Sequence, residues 1–292
     1  MPFLSLHFEL GSMNVDAAEQ VCFDCGALSV TLSDIRDDAV LEPLPGEIRL
    51  WPHTRVQALF AAERPAPALV QQLADALQLP AAQIGLQQVV DRVWEREWLR
   101  DFHAMRFGRR LWVTPFHETV TAADAVVVQL DPGLAFGTGT HPSTAMCLQW
   151  LDALAPVRGR AIDYGCGSGI LAIAAARLGA DTVQAFDIDP QALLATRENA
   201  ERNAVDRKVQ TVAQAHALIP AADLLLANIL AGTLVQLAAE LRTLVRVGGQ
   251  FVLAGILKEQ QDMVVDAFAA WADLERHNES GDWIALAGTR TS

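Results

Sequence analysis

Lysine is scarce in this chain: Lys208 and Lys258 are the only two in 292 residues. Basic residues number 22 against 35 acidic ones, a net charge of −13. A surface this acidic repels a phosphate backbone and attracts a basic partner. The excess is −7 over residues 1–100 and −6 over the remaining 192. The plain alternative is solubility. Long apolar runs are also missing. The richest stretches are broken by Arg, Asp or Gly, which argues against a membrane-spanning helix. "MPFLSLHFELGSMNVDAAEQ" has no basic region ahead of an apolar block, so no secretory signal is expected and the expected location is cytoplasmic. Cysteines number four: Cys22, Cys25, Cys147 and Cys166. Cys22 and Cys25 form a C-x-x-C, but no second Cys/His cluster supplies the other ligands of a zinc site. A redox pair opens a helix, whereas this pair sits late in one. Core thiols and no metal site are the expectation.

The chain reads as two halves. Phe3 to Phe8 suggests a strand, and "NVDAAEQVCFDCGA" an amphipathic helix capped by Asn14. "ALSVTLSD" and "RVQALFA" read as strands, "PALVQQLADALQL" as a helix and "IGLQQVVDRVW" as a last strand. The order β-α-β-β-α-β fits a ferredoxin-like α+β module, which suits binding better than chemistry. We place this domain at residues 1–93, an interdomain linker and lead-in at 94–124, and the catalytic domain at 125–292.

"WEREWLRDFHAMRFGRRLWVTPFHETV" interleaves aromatic residues with Arg96, Arg100, Arg106, Arg109 and Arg110. That pattern is compatible with nucleic-acid binding. The favoured reading is a linker helix and lead-in strand whose arginines answer acidic surroundings. Beyond it, strands alternate with helices: "AIDYG", "TVQAFDID", "KVQTV", "ADLLLANI" and "GQFVLAGI", then "LERHNES" with "DWIALAGT" as a terminal hairpin. The pattern predicts an α/β doubly wound sheet.

In "IDYGCGSG" a strand ends at Tyr164, and Gly165, Gly167 and Gly169 turn into a helix. Glycine lets a ligand approach the backbone, and the helix N-terminus offers exposed N–H groups. The spacing is G-x-G-x-G, not the dinucleotide G-x-G-x-x-G. The next strand-end acid, Asp187, lies 22 residues beyond Gly165. A carboxylate there suits a ribose diol, and a diol without a pyrophosphate suits S-adenosyl-L-methionine. Tight helix–strand packing is the bland explanation for a lone glycine turn. Asn228 ends a strand on the ligand edge of the sheet, where it either meets a substrate amine or caps the next helix. Asp223 opens the same strand on the wrong edge. Upstream, "AFGTGTHP" precedes a helix from about Pro142, with Thr140 or His141 as its cap. We expect Phe136, Gly137 and Thr138 in this loop to close over the cofactor and form one wall of the acceptor channel.

"LDPGLAFGTGTHPSTAMCLQWL", "IDYGCGSGILAIAAARLGA", "FDIDPQALLATRENAERN" and "LLLANILAGTL" resemble successive motifs of the bacterial ribosomal protein L11 methyltransferase (PrmA) family. "GALSVTLSDIRDDAVLEPLPGEIRLW" resembles the substrate-recognition domain of its longer members, and "WEREWLRDFHAMRFGRRLWVTP" its interdomain segment. The resemblance covers nearly the whole chain. It implies a Rossmann-like, seven-stranded class I methyltransferase sheet using S-adenosyl-L-methionine. It implies transfer to lysine ε-amines and the N-terminal α-amine of ribosomal protein L11. The family's cofactor pattern falls on Thr144, Gly165, Asp187 and Asn228, with Asn228 and His141 as catalytic candidates. Three departures stand out: Val247 for Pro in "V-x-P-G-G", "TPFHE" for a "P-S-W" ending, and Ala104 for Pro in "FHPMRFG".

A lysine amine has a pKa near 10.4, so about one in a few thousand is neutral at pH 7. The site must favour the neutral form. No carboxylate in these motifs is an obvious base, so Asn228 and nearby carbonyls are expected to aim the lone pair, with the proton lost to water. The acidic N-terminal domain is expected to dock the basic substrate, with no direct nucleic-acid or membrane contact required. Rival readings are a nucleic-acid or small-molecule methyltransferase and a non-enzymatic cofactor-binding module.

Overall fold

The computed structural model describes residues 3–36, 50–61, 65–89, 102–131 and 137–292. The chain divides into two units, Met1–Trp94 and Glu95–Ser292.

The first unit holds β1 (Phe3–Glu9), α1 (Val15–Asp24), β2 (Ser29–Asp34), β3 (Thr54–Ala61), α2 (Ala66–Leu77) and β4 (Gly85–Val89). Its antiparallel sheet has the order β2-β3-β1-β4. Alternation in β1 buries Leu4, Leu6 and Phe8, the period of a strand with one covered face. Asn14 caps α1 as expected, its side chain accepting from the Ala17 amide at 3.0 Å. Cys22 and Cys25 are core residues. Burial pushes the Cys22 thiol up to about 11, far from a reactive thiolate.

The second unit opens with a small sheet of β5 (Met105–Phe107), β6 (Leu111–Thr114) and β7 (Val126–Gln129). It continues through α3 (Pro142–Leu154), β8 (Arg160–Tyr164), α4 (Ile170–Arg177), β9 (Thr182–Phe186), α5 (Pro190–Arg202), β10 (Val209–Val212) and β11 (Ala222–Asn228). It ends with α6 (Ala231–Leu244), β12 (Val245–Leu257), α7 (Gln261–Phe268), β13 (Ala272–Ser280) and β14 (Trp283–Arg290). The main sheet runs β10-β9-β8-β11-β12-β14-β13. Its first five strands are parallel, and β14 is antiparallel to both its neighbours.

Residues along each central strand alternate between two cores. Ala161, Leu224 and Leu226 pack with α3, α4 and α5. Ile162, Leu225 and Ala227 pack with α6 and α7. A sheet covered on both faces explains why these strands read as nearly unbroken apolar runs. The chain leaves β8 toward β9 and β10, then returns to β11 on the other side of β8. The crevice beside the carboxyl ends of β8 and β11 is thus the topological switch point, where open α/β sheets bind ligands.

The region from 102 to 131 carries more structure than a linker helix and lead-in strand. Its hairpin is fastened to α3 by Asp152, which accepts from the amides of Arg109, Arg110 and Leu111. Among the described residues, Arg106, Arg109 and Arg110 make no ion pair. Arg106 donates to the Arg109 carbonyl and lies over the Trp112 ring. Arg96, Arg100 and the linker helix lie outside the described residues. Helix α7 ends at Phe268, and Trp271 beyond it packs against Phe251 and Phe268, with ring centroids 5.3 and 5.1 Å away.

Candidate active site

The glycine turn leaves β8 at the switch point. The amides of Gly165 and Cys166 both donate to the Phe186 carbonyl, at 2.8 and 2.9 Å, which ties the turn to the end of β9. Gly165 has φ +81°, and a Cβ there would lie 2.4 Å from Ile229 Cγ2. Gly169 caps α4 in the left-handed region, and its Cβ would lie 2.8 Å from the Thr196 side chain. Only glycine fits either place without strain. The turn therefore presents bare backbone at the N-terminus of α4, a surface suited to a polar ligand.

Asp187 follows β9 directly, at the strand end where the sequence places it. Its Oδ2 accepts from the Gly167 amide at 2.9 Å and its Oδ1 from the Asp189 amide at 3.0 Å. A carboxylate has about four acceptor positions, so two bonds to the backbone orient it and leave capacity for a diol.

The upper loop meets the lower one. Ser168 donates its hydroxyl to the Gly137 carbonyl. A Cβ on Gly139 would sit 3.2 Å from Phe107 Cζ and 3.6 Å from Ile170 Cδ1. Gly139 is thus wedged between the small sheet and the start of α4. Thr138 and Thr140 share a hydroxyl hydrogen bond of 2.8 Å. Phe136 lies outside the described residues.

His141 caps α3. Its Nδ1 accepts from the Ser143 amide at 3.3 Å and lies 2.7 Å from the Ser143 hydroxyl. Burial lowers the imidazole below its ordinary value, which favours the neutral ring. One turn later, Thr144 Oγ1 accepts from Asn228 Nδ2 at 3.0 Å. Asn228 does not cap α6: the cap position is Leu230, with no side-chain bond. Its neighbour Ala227 pairs with Tyr164, so Asn228 stands beside the glycine turn on the α3 face. Asp223 lies at the opposite edge, accepting from the Arg160 amide at 2.8 Å and pairing with Arg246 at 2.6 Å.

Asp163 was not singled out from the sequence. It is fully buried beneath the glycine turn, with Oδ2 accepting from the Ala172 amide at 2.9 Å and Oδ1 without a partner. Burial pushes its carboxyl up to about 7. The available signal was an acid inside the apolar strand "AIDYG", a place where charge is rarely buried. Among the described residues, no cluster of three or more His, Cys, Asp or Glu side chains is placed to hold a metal ion. No helix among them is long and apolar enough to cross a membrane.

Comparison with known proteins agrees with the motif resemblance. The family model described as "Ribosomal protein L11 methyltransferase (PrmA)" matches residues 2–291. A ribosomal protein L11 methyltransferase of Alkalilimnicola ehrlichii is 48% identical, over 99% of each chain. One from Shewanella sediminis is 44% identical, over 99% of this chain and all of its own. The crystal structure of a ribosomal protein L11 methylase from Lactobacillus delbrueckii subsp. bulgaricus is 32% identical, with a TM-score of 0.60. That match covers 65% of this chain and all of the other. The chain belongs to the ribosomal protein L11 methyltransferase (PrmA) family.

Proposed function

We propose that this chain transfers methyl groups from S-adenosyl-L-methionine to lysine ε-amines and the N-terminal α-amine of ribosomal protein L11. The observation that carries the reading is the Asn228–Thr144 bond beside the glycine turn. It commits the amide nitrogen of Asn228 to α3, which leaves the carbonyl oxygen to accept from an amine N–H. An amine held that way keeps its lone pair directed elsewhere.

The residues fit the cofactor. The glycine turn is a cradle that a Cβ would fill, and Asp187 is oriented to receive a diol. Gly165, Gly167, Gly169 and Asp187 would hold the nucleoside. Gly137, Thr138 and Thr144 would lie along the methionine part. When bound, S-adenosyl-L-methionine supplies an electrophilic methyl group: the N–C bond forms as the S–C bond breaks, its pair stays on sulfur, and the amine proton passes to water.

The protein's share is desolvation and aim. A buried acceptor site disfavours the ammonium form, and alignment supplies much of the rate. Burial favours the neutral ring of His141, which would add no positive charge against the incoming amine.

We further propose that residues 1–93 form a ferredoxin-like domain that docks the basic substrate, with 94–124 as linker and 125–292 as catalytic domain. The net charge of −13 supports a basic partner over a nucleic acid. The test is a methyl-transfer assay with purified ribosomal protein L11 and with protein-free ribosomal RNA, read by mass spectrometry. Increments of 14 daltons on the protein are expected. Methyl transfer to the RNA alone would overturn the reading. Charge-driven docking also predicts that KM for the protein rises with ionic strength while donor affinity stays constant.

A further inference from the structure

Trp283 begins β14 opposite Leu257, at the carboxyl end of β12. Asn228 pairs with Ala254 on the other side of β12. Both residues therefore stand on the carboxyl rim, on strands two spacings or about 10 Å apart, with Trp283 three β12 residues further toward the rim. Trp283 packs against the core on the α3 face, the face on which Asn228 meets Thr144. The N-terminus of α3 spans the gap between them. Thr144 holds Asn228, and His141, one turn earlier, meets the Trp283 ring edge-to-face with centroids 4.8 Å apart and planes at 73°.

Two features hold this corner in place. Asn278 on β13 donates to Gln149 Oε1 on α3 at 2.7 Å, tying the terminal hairpin to the helix. The β12–β14 register shifts between Leu253 and Ile256. Gly255 in that shift has φ +80°, and a Cβ there would lie 2.4 Å from the Ile229 carbonyl oxygen. The rim of β12 thus closes directly on the segment that follows Asn228.

We infer that Trp283, steadied by His141, is the far wall of the acceptor channel and determines how many methyl groups one amine receives. This rests on the methyltransferase reading above. A lysine stem is four methylenes long and needs an apolar wall, which the indole provides. Each round replaces one N–H with N–CH3 and releases one proton, so the amine that must react again is bulkier and more apolar. Between rounds it becomes an alkylammonium. An indole face attracts such a cation without a carboxylate to trap it. A wall of this kind retains partly methylated amine for the next round.

The experiment compares Trp283→Ala and Trp283→Phe with wild type in the full chain, using ribosomal protein L11 and S-adenosyl-L-methionine. It reads KM for the protein, the mono-, di- and trimethyl distribution over time, and S-adenosylhomocysteine affinity by calorimetry. Trp283→Ala should raise KM about tenfold and leave mostly monomethyl product, with cofactor affinity unchanged. Trp283→Phe should restore the higher methylation states. An active wild type with Trp283→Ala matching it in KM and products overturns this inference alone. Loss of cofactor affinity in both variants overturns it too, since the role is then structural. A wild type that transfers no methyl group overturns the underlying reading together with the inference.

Discussion

The backbone amide of Ala104 donates to Glu118 Oε2 at 2.8 Å. The other oxygen of that carboxylate lies 2.8 Å from His103 Nδ1. A proline at position 104 would have no N–H to give. The acceptor comes from the "TPFHE" stretch after β6. The bond joins the stretch entering β5 to the stretch leaving β6.

Ala104→Pro should therefore lower the melting temperature in the wild-type background and much less in Glu118→Ala, since the bond is already gone there. Additive shifts in a double-mutant cycle would show that the residues act independently. Glu118 is held below its ordinary value of 4.5, first by the His103 hydrogen bond and then by the Ala104 amide. A lowered carboxylate pKa stabilises the fold above the ordinary value, and the gain disappears as pH falls through the folded one. The advantage of wild type over Glu118→Gln should shrink between about pH 6 and about pH 3.

Asn228 and Thr144 should behave as one unit. Asn228→Ala should lower kcat on the protein substrate by about a hundredfold or more. Thr144→Val keeps the shape and removes the oxygen that orients the amide, so a smaller loss in kcat is expected. Because Thr144 acts on the acceptor through Asn228, the double variant should be no slower than Asn228→Ala alone. Rates that multiply would separate the two roles.

Gly165→Ala places a methyl group against Ile229 Cγ2 and forces alanine to φ +81°. The backbone penalty alone is about 1–2 kcal/mol. Relief requires the turn to move away from Asn228. Calorimetry should show donor affinity falling further than thermal stability does. A destabilised variant with unaltered donor affinity would mean that the turn does not touch the ligand.

Asp163 gives a pH dependence of the opposite sign to Glu118. Its folded-state value, about 7, lies above the ordinary 3.8. Between those two values the folded protein holds a proton that the unfolded chain has released, so stability falls as pH rises through the window. Asp163→Asn keeps an acceptor for the Ala172 amide and cannot ionise. The variant should gain on wild type in melting temperature between about pH 4 and about pH 7. A constant difference across that range would mean that Asp163 is ionised throughout.

Much of this was legible because it is local. The Asn14 cap, the three glycines after β8 and the acid after β9 each rest on residues within one turn of each other. The small sheet escaped notice because β5, β6 and β7 have three or four residues each, too few for a period to register. The paired glycines at 248–249 suggest a break before a strand, yet β12 runs through them from Val245. The Asn228–Thr144 bond spans 84 positions, and the Trp283–His141 contact spans more. Nothing in either neighbourhood of sequence announces the other.

Asp152 has a role that the fold alone defines. It is buried on α3, and its two oxygens accept from three consecutive amides of the β5–β6 hairpin, the Leu111 bond measuring 3.0 Å. Gly108, at φ +72°, brings that turn so close that a Cβ would lie 2.4 Å from Asp152 Oδ2. Phe107 on the same hairpin supports Gly139 in the upper loop. Asp152→Ala would strip three donors of their acceptor, the Leu111 amide in a buried place, at a cost of about 1–3 kcal/mol. Asp152→Asn would turn an N–H group toward other donors and recover little. Both variants should expose the 105–112 hairpin to limited proteolysis and weaken donor binding through the loop it supports. Full protection of the hairpin in Asp152→Ala would show that strand pairing in the small sheet suffices without the carboxylate.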